Sequence, residues 1–175
     1  MSKLTLHRLV QAALFAALVC AATALLQIPS PIGYFNLGDT VVLLGAFLLA
    51  PLWGAGAGGV GAALADVLLG FVLYAPATLV IKFLTALTAA FLLRSQKTHR
   101  IRGAVLGAVA GEFVMAAGYF CYEWALYGLG GSTEALLTTN LPQAAVNAAA
   151  AILLFLVLDR AHVSERFGGV STHDR

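Results

Sequence analysis

LVQAALFAALVCAATALLQI, residues 9–28, decides the class of fold. This run of twenty residues carries no charge. A helix needs roughly 20 mostly apolar residues to cross the hydrocarbon of a bilayer. Pro29-Ser30-Pro31 ends the run. Lys3 and Arg8 precede it, as basic residues precede a signal peptide's core, but such a core is only about 7–15 residues long. The segment therefore reads as a retained first span.

The same reading extends along the chain. A short apolar run, 40–52, is broken by Pro51 and Trp53-Gly54. A third run, 55–73, carries Asp66, and Tyr74-Ala75-Pro76 reads as a turn. The fourth, 77–93, carries Lys82, and the fifth, 103–126, carries Glu112 and Glu123. Gly128 to Thr133 reads as a glycine-rich loop before a sixth run, 141–158, and a tail, 159–175. The expectation is an all-α integral membrane protein, one domain of six transmembrane helices.

Composition agrees. Apolar types make up 61% of the 175 residues and charged types 10%, against about 25% charge in a soluble domain. A soluble enzyme and a disordered chain are both disfavoured. A net charge of +2 gives no reason to expect nucleic acid as a partner. Cys20 and Cys121 lack metal-ligand or redox spacing and read as small core residues, with no metal expected.

Basic residues set orientation, because cytoplasmic loops are enriched in Lys and Arg. Nine of the ten fall before span 1, between spans 4 and 5, or after span 6; Lys82 is the tenth. The intervening loops, 29–39, 74–76 and 128–138, carry none. Both termini are expected in the cytoplasm and the chain in the cell membrane. His7, His99, His162 and His173 all lie in segments placed on that side.

Ionisable groups inside a span cost about 2.5–3.5 kcal/mol on insertion scales and usually mark a site. At about 1.5 Å rise per residue, Asp66, Lys82 and Glu123 lie roughly 7–10 Å below the outer ends of their spans. Gln143 and Asn147, four apart on span 6, share a helix face at similar depth. Asn36, Asp39, Tyr74, Tyr119 and Asn140 lie near that level, with Tyr34 beside them. Together they suggest an outward-facing polar pocket with aromatic walls. A plainer alternative pairs Asp66 with Lys82 as a buried ion pair between spans 3 and 4. Glu112, nearer mid-membrane, suits a structural hydrogen bond as well as a ligand contact. Ala12/Ala16 and Ala13/Ala17 form a small-residue stripe on span 1, suited to close helix packing within the chain or against another membrane subunit.

No phosphate loop, H-E-x-x-H or G-x-S-x-G occurs, so ATP hydrolysis and intramembrane hydrolysis have no residues to carry them. No enzyme activity and no cofactor are expected.

Tyr34-Phe35-Asn36-Leu37-Gly38-Asp39 before the apolar run ending in Pro51 resembles the substrate-binding S components of energy-coupling factor (ECF) transporters. So do Gly61-x-x-x-Ala65-Asp66-x-x-x-Gly70 leading to Tyr74-Ala75-Pro76-Ala77-Thr78-x-x-x-Lys82, Gly118-Tyr119-Phe120, and Asn140-x-Pro142-Gln143. The resemblance covers roughly residues 8–158 and is nearest the riboflavin, hydroxymethylpyrimidine and pyridoxine branch. It implies a vitamin or precursor bound near the outer face, with the loop between spans 1 and 2 helping to close the site. It also implies a transmembrane coupling subunit docked on the alanine stripe, two ATP-binding-cassette ATPases, and toppling of the S component to release substrate inside. The pocket inventory favours a small ring such as pyridoxine or hydroxymethylpyrimidine over riboflavin. A stand-alone ion- or proton-coupled carrier or channel is the alternative.

Overall fold

The computed structural model describes residues 3–96 and 98–161. Lys97, His162, Arg166, His173, Arg175 and most of the expected tail lie outside the described residues. Among the described residues, six α-helices follow one another: α1 (Lys3–Leu25), α2 (Gly38–Leu48), α3 (Pro51–Leu68), α4 (Ala75–Ser95), α5 (Arg100–Ala135) and α6 (Leu141–Arg160). A small antiparallel hairpin lies between α1 and α2, made of β1 (Gln27–Pro29) and β2 (Tyr34–Asn36). Among the described residues, three helical stretches are long and apolar enough to cross a membrane: α1, α4 and the continuous run from Arg100 to Arg160.

α1 buries Ala12, Phe15, Val19 and Thr23, spaced three or four apart on one face. Leu14 and Leu18 on the other side are exposed, as a helix facing lipid requires. Ala12 is buried and Ala16 half-buried, whereas Ala13 and Ala17 are exposed. The alanine stripe is thus split between two faces.

α2 is the opposite case. It has 11 residues, of which nine are buried, and it contacts α1, α3, α4 and α6. At about 1.5 Å per residue it is roughly 16 Å long, half a bilayer core, so the second apolar run does not make a span by itself. It stops where Leu49 turns extended, and Pro51, in the first turn of α3, opens the next helix. Proline suits that position because its missing N–H would have had no helical partner. Tight packing depends on glycine here: a Cβ on Gly54 would stand 2.6 Å from the carbonyl oxygen of Gly45.

A helix end inside a protein leaves backbone groups that need partners. At the C-terminal end of α2, Arg94 Nη1 donates to Ala46 O at 3.1 Å and Nη2 to Leu49 O at 2.5 Å. A guanidinium also suits the negative end of the helix dipole. Arg94 counts among the loop charges in the sequence, yet it caps a core helix. At the N-terminal end, Asn147 Oδ1 accepts from Thr40 N at 2.8 Å and from Thr40 Oγ1 at 2.7 Å.

The stretch 128–133, expected as a loop, is helical beyond a single break. Gly128 has φ 74° and ψ 179° and kinks α5, a conformation that favours glycine. Ser132 and Thr133 then return their hydroxyls to Leu129 O at 3.0 and 2.7 Å. A π-helical turn, Leu136–Asn140, leads into α6. The expected turn at 74–76 is likewise displaced, because α4 already begins at Ala75.

A candidate ligand cavity beneath the hairpin

The β1–β2 hairpin pairs Gln27 with Asn36, Ile28 with Phe35 and Pro29 with Tyr34. Its turn uses Gly33 at φ 78°. Thr139 Oγ1, from the π-helical turn, donates to Ser30 Oγ at 2.8 Å and ties the hairpin down. Tyr34 OH donates to Asp66 Oδ1 at 2.6 Å. Burial first, and then this bond, push the Tyr34 phenol above its ordinary pKa, so it stays a donor.

Beneath the hairpin lies about 420 Å³ of space unfilled by atoms and partly open to solvent. Of the residues expected in a polar pocket, Asn36, Tyr74, Tyr119, Glu123, Asn140 and Gln143 line it, as does Asp66. Tyr34, Phe71, Thr78 and Thr139 line it too. Phe71 left no signal in the sequence beyond an aromatic residue near a turn. Thr78 lies one turn before Lys82, a spacing that could have flagged it. Thr139, read as loop, is held inward by the π-helical turn.

The walls are aromatic. Tyr34 and Phe71 rings are 4.9 Å apart, and Tyr74 and Tyr122 5.4 Å apart, nearly edge to face. Tyr119 is buried, and its hydroxyl is 2.9 Å from Thr78 Oγ1. Asn140 Nδ2 donates to Glu123 Oε2 at 3.0 Å.

Asp39, Lys82 and Asn147, also expected in the pocket, do not line the cavity. They form the layer behind it. Lys82 Nζ sits 2.6 and 2.7 Å from the two carboxylate oxygens of Asp39. The alternative Asp66–Lys82 pair is therefore not formed. Asp39, placed in a loop by the sequence reading, lies in the first turn of α2 and is 1% exposed, which brings it within reach of α4. Gln143 links the two layers: its Nε2 donates to Asp39 at 2.8 Å, and its Oε1 accepts from Asn36 N at 2.9 Å and Asn36 Nδ2 at 3.2 Å. Asn147 Nδ2 donates to Asn36 O and Gln143 O, both at 2.9 Å. Gln143 and Asn147 do share one face of α6, and both are buried.

Glu112 stands apart. It is 3% exposed, and neither carboxyl oxygen has a hydrogen-bond partner. It opens onto a largely apolar groove between α5 and α6. Among the described residues, no group of three or more His, Cys, Asp or Glu side chains could hold a metal ion.

A second apolar groove runs between α1 and α3, lined by Ala12, Ala13, Ala16, Trp53, Gly56 and Val60 among others. Gly61 of α3 packs against the Ala16 carbonyl with no room for a Cβ. Ala17 does not line this groove.

Hydropathy and a hairpin over a polar cavity with aromatic walls mark a membrane protein with a candidate small-molecule site. The family model for the ECF-type riboflavin transporter S component matches residues 3–162, and the chain belongs to that family. It is a family of transporter components and not of enzymes. The chain is also 42% identical over 116 residues to a protein of Pyrococcus woesei described as an uncharacterized protein in gap 3'region. The match covers 65% of this chain and 76% of that protein.

Proposed function

We propose that this chain captures a flat, heteroaromatic vitamin or vitamin precursor in the cavity beneath the hairpin and delivers it across the cell membrane. The observation that carries the reading is the cavity itself, with aromatic faces, convergent polar groups and a tethered hairpin above. A ring would stack between Tyr74, Tyr119 and Phe71, with its edges read by Asn36, Glu123, Asn140 and Gln143. The few polar groups between aromatic faces suit a single ring with hydroxymethyl groups, such as pyridoxine or hydroxymethylpyrimidine. Riboflavin, named in the family's description, is the larger candidate.

In this reading six helical segments are threaded through the membrane with both termini in the cytoplasm, consistent with the one-sided placement of Lys and Arg. ATP hydrolysis is supplied by two ATP-binding-cassette ATPases through a transmembrane coupling subunit. That subunit docks on the exposed α1 face carrying Ala13 and Ala17, next to the apolar groove shared with α3; Ala12 and Ala16 turn toward the chain's own core.

The direct test is to purify the protein from cells, denature it, and identify any released small molecule by mass spectrometry. One vitamin-like compound per chain is the expected result. An empty protein that fails to bind a vitamin panel, or uptake into liposomes by this chain alone, would instead favour the stand-alone carrier.

A further inference from the structure

We propose that the ligand of this cavity presents a fixed N–H donor or a positive charge, as an amino-substituted pyrimidine or a protonated pyridine ring does, and that Asp66 selects it. This inference rests on reading the cavity as the substrate site.

The hydrogen-bond inventory points that way. Most donors on the cavity wall are already committed within the protein. Tyr34 OH donates to Asp66, both Asn36 nitrogens donate to Gln143, and Asn140 Nδ2 donates to Glu123. Thr78 and Tyr119 hydroxyls bond each other. The buried carboxyls keep acceptor capacity. Asp66 is 4% exposed and lines the cavity, and its Oδ2 is buried without a hydrogen-bond partner. Glu123, 3% exposed and on the same wall, spends Oε2 on one amide.

Charge points the same way. The buried ionisable acids and bases among the described residues are four carboxyls, Asp39, Asp66, Glu112 and Glu123, against one ammonium, Lys82. Both oxygens of Asp39 already hold that ammonium. No Lys, Arg or His lines the cavity among the described residues. Ionised carboxylates in a low-dielectric setting are stabilised by a donor or a cation and repel an anion. The faces of Tyr34, Phe71 and Tyr74 also attract cations, and Tyr119 already has Lys82 Nζ 5.1 Å from its ring centroid. A ligand that bears a phosphate or carboxylate meets no Lys, Arg or His on the cavity wall among the described residues. A ring that only accepts leaves the Oδ2 of an ionised Asp66 orphaned.

The test titrates the full chain in lipid nanodiscs by calorimetry. The probes are hydroxymethylpyrimidine with its exocyclic amine, the same ring with the amine replaced by a methoxy group, pyridoxine, riboflavin, and nicotinate as an anion. The aminated ring should bind about tenfold or more tighter than its methoxy counterpart, and nicotinate should not bind. Asp66→Asn keeps an acceptor for Tyr34 and should erase the preference for the amine. Equal or tighter binding of the methoxy ring would overturn the inference and leave the vitamin-binding reading intact. An amine preference that survives in folded Asp66→Asn would remove Asp66 from the selecting role. If the folded chain binds none of the probes, inference and proposed function fail together. The ligand-side comparison uses the unmodified chain, so it decides the donor preference whether or not Asp66→Asn folds.

Discussion

Around Lys82 the polar side chains satisfy one another; around Asp66, nearer the hairpin, acceptors are left over. Both groups are buried in the same helical framework. Asp39, Lys82, Gln143 and Asn147 close a network with Thr40 and Asn36 through bonds of 2.6 to 3.2 Å. Asp66 holds one bond, to Tyr34, and keeps a second oxygen unpartnered. A buried polar residue in a membrane protein is therefore not a ligand contact by default. The closed layer fixes where α2 begins and how it meets α4 and α6. The open layer faces the cavity.

The largest expected effect separates the layers directly. Lys82→Ala leaves the Asp39 carboxylate buried and unpaired, and removing one partner of a buried pair costs about 3–5 kcal/mol. The melting temperature in detergent should drop sharply, and any loss of ligand affinity should follow from that. An unchanged melt alongside lost binding would move Lys82 into the open layer.

Next in size is Asn147→Ala, which strips Thr40 N and Asn36 O of their partners. Orphaned buried groups cost about 1–3 kcal/mol. Amide exchange should rise first at the start of α2, and protection equal to the parent's would break the link between α6 and that helix end.

Glu112→Met should act in the opposite direction. It replaces a buried carboxyl with no partner by an apolar side chain beside an apolar groove. A gain of about 1 kcal/mol is expected from the penalty on unsatisfied buried groups. Destabilisation on heating would mean that Glu112 has a role the α5–α6 packing does not reveal.

The smallest effect belongs to the cavity wall. Thr78→Val removes one interhelical hydroxyl contact, worth about 0.6 kcal/mol by membrane-protein measurements. Ligand-free stability should barely move, and calorimetric affinity should change more. The reverse ranking would place Thr78 in the closed layer.

Much of this was legible before the structure. The run 9–28 announces a membrane protein, and spacing along α6 puts Gln143 and Asn147 on one face. The depth estimates brought Asp66, Glu123 and Gln143 to one level, and all three line one cavity. Other readings failed for local reasons. Asp39 follows a loop motif, so nothing along the chain marks it as the first turn of a buried helix. Arg94 adjoins a basic loop, and its role depends on where α2 happens to end. The glycines from 128 to 131 suggest a loop, yet one positive φ at Gly128 absorbs the break and the helix resumes.

The sequence by itself determined that the chain is a membrane protein, because hydropathy accumulates along the chain and needs no knowledge of neighbours. Its motifs also carried the S-component resemblance that the family match supports. Only the tertiary structure decided which carboxylate Lys82 pairs with, and which acceptors stay open. Those outcomes depend on how helices are rotated and seated against one another. A turn of one helix exchanges one partner for another without altering a residue of the sequence.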